Sequence, residues 1–195
     1  MSANNKIYKS IVSGVGASLP REIVTNKDLS MRMDTSEEWI EERTGIKERR
    51  IASEGETTST LGTEAAQIAI DNSGLKNSDI DLIVLATATP DNTFPASATL
   101  IQSSLGIEKG YAYDMQAVCS GFVFAVEAAD NAIKAGNIKN ALVIGSETFS
   151  RILDWDDRAT CVLFGDGAGA MVLSASSEDT NRGVLSNHLH SDGRY

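Results

Sequence analysis

Cys119 stands between a polar stretch and an apolar one, in the segment DMQAVCSGFVF over residues 114–124. The pattern puts it where a strand end meets a helix start. Backbone N–H groups at a helix start lack intrahelical acceptors, and the aligned peptide dipoles favour negative charge there. Both effects favour a thiolate, the nucleophilic form of cysteine. The small Ser120 and Gly121 that follow leave a substrate room to approach the sulfur. Cysteine is also among the most buried residue types, so plain packing stands as the alternative on position alone. Cys161, in ATCVLFG among apolar neighbours, reads as a packed mid-strand thiol.

A second cluster lies in IEERTGIKERR (40–50), where Arg43, Lys47, Arg49 and Arg50 crowd together in an acidic chain. Trp39 precedes Arg43 by four residues, so on a helix the indole and guanidinium share a face. An aromatic ring beside cations suits a nucleotide: the ring stacks on the base and the cations meet phosphates. An amphipathic helix with a core tryptophan and solvated charges fits the same residues. Two glycine patterns, SGVGASLP (13–20) and FGDGAGA (164–170), read as tight turns. Neither has the strand, glycine loop and helix context of a dinucleotide site. His188 and His190 alternate on an expected strand, but no Cys, Asp or Glu partner has metal-ligand spacing.

The elements that must position these residues alternate along the chain. Strands are expected in KIYKSIVSGVG (6–16), DLIVLATAT (81–89), YAYDM (111–115) and NALVIGSE (140–147). The segment TSEEWIEERTG (35–45) reads as a helix capped by Thr35, with Glu38 completing a capping box and Gly45 as the stop. In STLGTEAAQIAIDNSG (59–74) a helical face carries Leu61, Ala65, Ile68 and Ala69. Further helices are expected over 96–106 and 119–136, the latter with Phe122, Val126, Ala129 and Ile133 on one stripe. ATCVLFGDGAGAMVLSAS (159–176) reads as two strands over a glycine turn, and RGVLSNHLHSDGRY (182–195) opens one more strand. This order implies an α/β fold with a mainly parallel sheet covered on both faces.

Composition bounds the partners. The 195 residues carry 17 basic and 27 acidic side chains, a formal charge of −10, which opposes general binding to nucleic acid or anionic membranes. The polar start MSANNKIYKS lacks an export signal, and no run is long and apolar enough to span a bilayer. With two cysteines and no export signal, free thiols in a cytoplasmic location are expected.

The stretches DTSEEWIEERTGIKERRI (34–51), FPASA (94–98), DMQAVCSGFVFAVEAAD (114–130), DWDDRATCVLFGDGAGAMVL (154–173) and HLHSDGRY (188–195) together resemble β-ketoacyl-acyl carrier protein synthase III. This is the initiating condensing enzyme of bacterial type II fatty-acid synthesis, and the resemblance runs along essentially the whole chain. It implies a thiolase-like fold of two βαβαβαββ halves, usually a homodimer. Residues 1–176 would be the first half, carrying the nucleophile, and 177–195 a linker with the first strand of a second half.

The same resemblance implies that Cys119 takes an acetyl group from acetyl-CoA and that the acetyl-enzyme condenses with malonyl-acyl carrier protein. CO2 leaves and acetoacetyl-acyl carrier protein forms. Acetyl-CoA enters as a substrate, and no cofactor is implied. Trp39 and Arg158 would sandwich the CoA adenine, Arg43 and Thr35 would contact the nucleotide or its phosphates, and Phe94 would reach the partner subunit's acyl pocket. The family's catalytic histidine and asparagine lie in its second half; HLHSDG matches a different segment, so neither His188 nor His190 takes that role. Residues 1–195 alone are therefore not expected to run the decarboxylative condensation. Two alternatives keep the fold: a CoA-using relative with other substrates, and an inactive fragment that at most binds CoA. A nicotinamide oxidoreductase fails the glycine-context test.

Overall fold

A computed structural model describes residues 9–178 and 181–194. Five strands form the central sheet: β1 (Lys9–Ser18), β4 (Leu82–Ala86), β5 (Tyr111–Met115), β6 (Asn140–Glu147) and β7 (Gly167–Ser176), in the order β1-β7-β6-β4-β5. Helices α3 (Thr58–Ser73), α4 (Ser97–Ser104) and α5 (Gly121–Lys134) connect them, giving the expected βαβαβαββ order. Between β1 and α3 the chain inserts β2 (Glu22–Thr25), α1 (Asn26–Ser30), α2 (Glu37–Thr44) and β3 (Glu48–Ile51), with β2 and β3 paired antiparallel.

The sheet is mixed rather than mainly parallel. Strand β4 runs parallel to β5 and β6, but β7 is antiparallel to both β6 and β1. No crossover helix joins β6 to β7, so the chain returns beside β6 in the opposite sense. All five residues of β4 are buried, as a strand covered on both faces requires. One face packs Leu85 and Ile144 against Leu61, Ala65 and Ala69 of α3 and Ile101 of α4. The opposite face packs Val84 and Val143 against Ala125, Ala129 and Ile133 of α5, with Phe122 and Val126 partly buried beside them.

Several expectations change. Gly14 and Gly16 lie inside β1, not in a turn: a Cβ at Gly14 would meet the Ala69 carbonyl oxygen at 2.1 Å, and one at Gly16 the Ala65 oxygen at 2.2 Å. They are glycine because the α3 backbone rests on the strand there. Ile68, expected on the buried face, is 43% exposed, its Cβ 2.9 Å from where one at Gly16 would stand. In 159–176 only β7 is a strand, and Gly167 and Gly169 belong to it. Cys161 sits in a one-turn 3₁₀ helix (Cys161–Leu163), not mid-strand, and is fully buried all the same. The cap of α2 is Ser36, whose hydroxyl accepts the Trp39 N–H at 3.1 Å, rather than Thr35. Gly45 closes that helix in the left-handed conformation, as expected.

Residues 181–194 contain no strand, so His188 and His190 do not share a strand face. The segment is held to the sheet by the Val184 N–H on the Ser10 carbonyl, 2.9 Å, without the ladder of bonds a strand requires. Among the described residues no helix is long and apolar enough to cross a membrane.

Candidate active site

Because β4, β5 and β6 run parallel, their carboxyl ends, Ala86, Met115 and Glu147, reach one rim of the sheet. In open α/β sheets that rim is where ligands bind. After β5 the chain makes a single 3₁₀ turn, Val118–Ser120, and enters α5 at Gly121. Val118 is held at φ +48°, a conformation that costs a β-branched residue about 1–2 kcal/mol. A tight pivot there carries Cys119 to the rim. Gly121 lets α5 start close to β4, since a Cβ there would stand 3.3 Å from that of Ala86.

Cys119 is exposed and borders a cavity of about 280 Å³ whose walls include Ala86, Phe122, Gly145, Glu147, Phe149 and Phe164. Phe149 and Phe164 stack with centroids 4.6 Å apart. Gly145 admits the Phe122 ring, whose Cδ2 would lie 3.2 Å from an added Cβ. No side chain caps α5, and the Cys119 N–H bonds to no acceptor among the described residues. The sulfur thus has an unfilled helix start behind it, an unbonded amide beside it and an apolar chamber before it.

Carboxylates fix the walls from behind. Glu147 accepts the Ala88 N–H at 2.7 Å and the Thr89 hydroxyl, tying the chain leaving β4 to the end of β6. Asp114 accepts the N–H groups of Ser97 and Ala98 at 2.8 and 2.7 Å, pinning the start of α4 to β5. Buried Asp166 accepts the Ser150 N–H and hydroxyl at 2.8 and 2.6 Å, which holds the turn bearing Phe149. Cys161 contrasts with Cys119: its sulfur lies 3.6 Å from the Met33 sulfur, and burial, then the Asp157 charge, pushes its thiol up.

Trp39, Arg43 and Arg158 meet as a second group. The Arg43 guanidinium carbon is 4.6 Å from the Trp39 ring centroid and that of Arg158 is 5.2 Å. Trp39 is half-buried against a small cluster that includes Ile40, Cys161 and Val162, so the core and ligand readings of this tryptophan describe two sides of one ring. Thr35 is partly buried, and its hydroxyl has no partner among the described residues. Phe94 stands apart, 82% exposed on the loop between β4 and α4. Trp39, Arg43, Arg158, Thr35 and Phe94 do not line the Cys119 cavity; the link is the run Cys161–Phe164, which packs under Trp39 at one end and walls the cavity at the other.

Glu147, Phe149 and Phe164 escaped the sequence reading. An acid ending an apolar strand hints at Glu147, but no spacing marks phenylalanines fifteen residues apart that meet only in the fold. Val118 gives no signal, because a β-branched residue is the type least expected at positive φ.

The model for the family 3-oxoacyl-[acyl-carrier-protein (ACP)] synthase III matches residues 113–193, which include Cys119. A β-ketoacyl-acyl carrier protein synthase III from Chelativorans sp. is 62% identical over 192 residues, spanning 97% of this chain and 59% of that protein. The crystal structure of 3-oxoacyl-acyl carrier protein synthase III from Aquifex aeolicus superposes with a TM-score of 0.85 at 50% identity, over 87% of this chain and 55% of that one. The priming β-ketosynthase of a polyketide pathway gives 0.86 at 38% identity, over 88% and 52%. The chain thus spans about three-fifths of the length of the curated relatives it matches. With a thiolase-like βαβαβαββ unit and these relatives, the chain is similar to the β-ketoacyl-acyl carrier protein synthase III condensing enzymes over about three-fifths of their length.

Proposed function

We propose that Cys119 is the nucleophile of an acyl transfer from acetyl-CoA. The thiolate attacks the thioester carbonyl, the Cys119 N–H helps hold the developing oxyanion, and the CoA thiolate leaves. In the whole protein, malonyl-acyl carrier protein then loses CO2, its carbanion attacks the acetyl-cysteine carbonyl, and the Cys119 thiolate departs from acetoacetyl-acyl carrier protein. The family's histidine and asparagine for that second stage belong to a second half, which residues 177–195 would begin. Residues 1–195 therefore supply the acylation stage.

The observation that carries this reading is the exposed Cys119 on a strained turn, with its amide unbonded, bordering an apolar cavity lined by Phe149 and Phe164. A short acyl chain fits such a chamber, whereas a charged one would meet the Glu147 carboxylate. Trp39, Arg43, Arg158 and Thr35 would take the nucleotide end of CoA. The exposure of Phe94 suits a residue that completes the site of a second copy in a homodimer.

Intact mass after incubation with acetyl-CoA tests the assignment: one acetyl adduct is expected on the wild type and none on Cys119→Ser. An adduct persisting on the serine variant refutes it. Repeating the incubation with longer acyl-CoA donors separates an acetyl-primed enzyme from the kind of priming ketosynthase that the polyketide relative represents.

A further inference from the structure

Arg158 makes two contacts at once. Its guanidinium carbon lies 5.2 Å from the centroid of the Trp39 ring. Its Nη1 donates to the backbone carbonyl of Asp34 and stands 3.5 Å from the Asp34 carboxylate. Arg43, on the same indole, is anchored separately, through Nη1 donating to the Trp39 carbonyl at 3.3 Å. A flat base held between an indole and a guanidinium needs about 3.5 Å on each side, roughly 7 Å in all. The observed 5.2 Å leaves no such gap, so Arg158 lies where a base sandwiched with Trp39 would go.

We propose that Asp34 is a positioning residue that latches Arg158 over Trp39, so that an adenine nucleotide enters only by drawing Arg158 off Asp34. The inference rests on the reading of Trp39 and Arg158 as the nucleotide end of the site. The latch has the strength of a contact meant to exchange. The Asp34 side chain is fully exposed and that of Arg158 is 46% exposed, and ion pairs in water are weak and screened by salt. A ligand displaces it by replacing both halves of the contact: its base takes the stacking surface of the guanidinium, and its phosphate takes the place of the Asp34 carbonyl and carboxylate. The latch therefore selects for a ring that carries an anion over a ring alone.

The test is calorimetric titration of the 195-residue chain with adenosine 3′,5′-bisphosphate. The variants are Asp34→Asn, Arg158→Ala and the double substitution; Asp34 is exposed, so its replacement leaves the core intact. Asp34→Asn keeps the backbone acceptor and removes only the charge, so it should tighten binding about two- to five-fold, the range of an exposed ion pair. That gain should shrink at high salt and vanish in the Arg158→Ala background. An unchanged affinity in Asp34→Asn overturns the latch and leaves the nucleotide site standing. An equal gain with Arg158 absent also overturns it, because Asp34 would then act only by repelling phosphate. Absence of binding in every form overturns the latch and the nucleotide site together.

Discussion

At the scale of single residues, Cys119 and Cys161 show how placement alone sets what a thiol can do. Cys119 is open to solvent on its turn, while Cys161 is buried beside Met33 with its thiol pushed up by desolvation. Reactivity follows thiolate fraction and access. Iodoacetamide is therefore expected to label one thiol of the native chain and two in denaturant, with Cys119→Ser unlabelled while folded. Native labelling of the serine variant at the wild-type rate would contradict this. Which thiol stands at a helix start was legible along the chain, because that position and the small Ser120 and Gly121 are written in order. The means of aiming it was not: the left-handed Val118 is a local conflict that the surrounding packing sustains, and local preference points away from it.

At the scale of elements, α3 lies with its backbone directly on β1. The absence of side chains at Gly14 and Gly16 lets helix carbonyls approach to a distance that a methyl group cannot share. Gly16→Ala should cost more than about 2 kcal/mol, because backbone and not a flexible side chain must move. Gly169→Ala, at a strand position with nothing within 4 Å of the added carbon, should change stability little. Urea midpoints of the two variants measure the contrast, and equal midpoints would show that α3 shifts freely. Helix spans and the buried β4 could be read from periodicity and Gly45 from its stop signal, since those depend on near neighbours. The direction of β7 could not, because it depends on the absence of a crossover over 148–166. A glycine-rich strand under a helix also resembles a turn until the helix is seen lying on it.

At the scale of the whole molecule, the chain holds one βαβαβαββ unit and matches about three-fifths of its relatives' length. Purified residues 1–195 should take up acetyl from acetyl-CoA yet form no acetoacetyl-acyl carrier protein when malonyl-acyl carrier protein is added, as followed by mass spectrometry of the carrier. Condensation at a normal rate would overturn the proposal that the second stage needs residues beyond these 195. The chain also holds separate hydrophobic clusters. Cys119 rides on the sheet, whose two faces have cores of their own, whereas Trp39 belongs to a small cluster of Val24, Leu29, Ile40, Cys161 and Val162 under the β2–β3 insertion. Substitutions in the sheet therefore spare the packing under Trp39, whereas substitutions at Cys161 or Val162 reach the Cys119 cavity through Phe164. On the proposed roles, the grip on the nucleotide and the bond-making step are coupled through Cys161–Phe164, so lineages that keep that run unchanged can vary the one without the other.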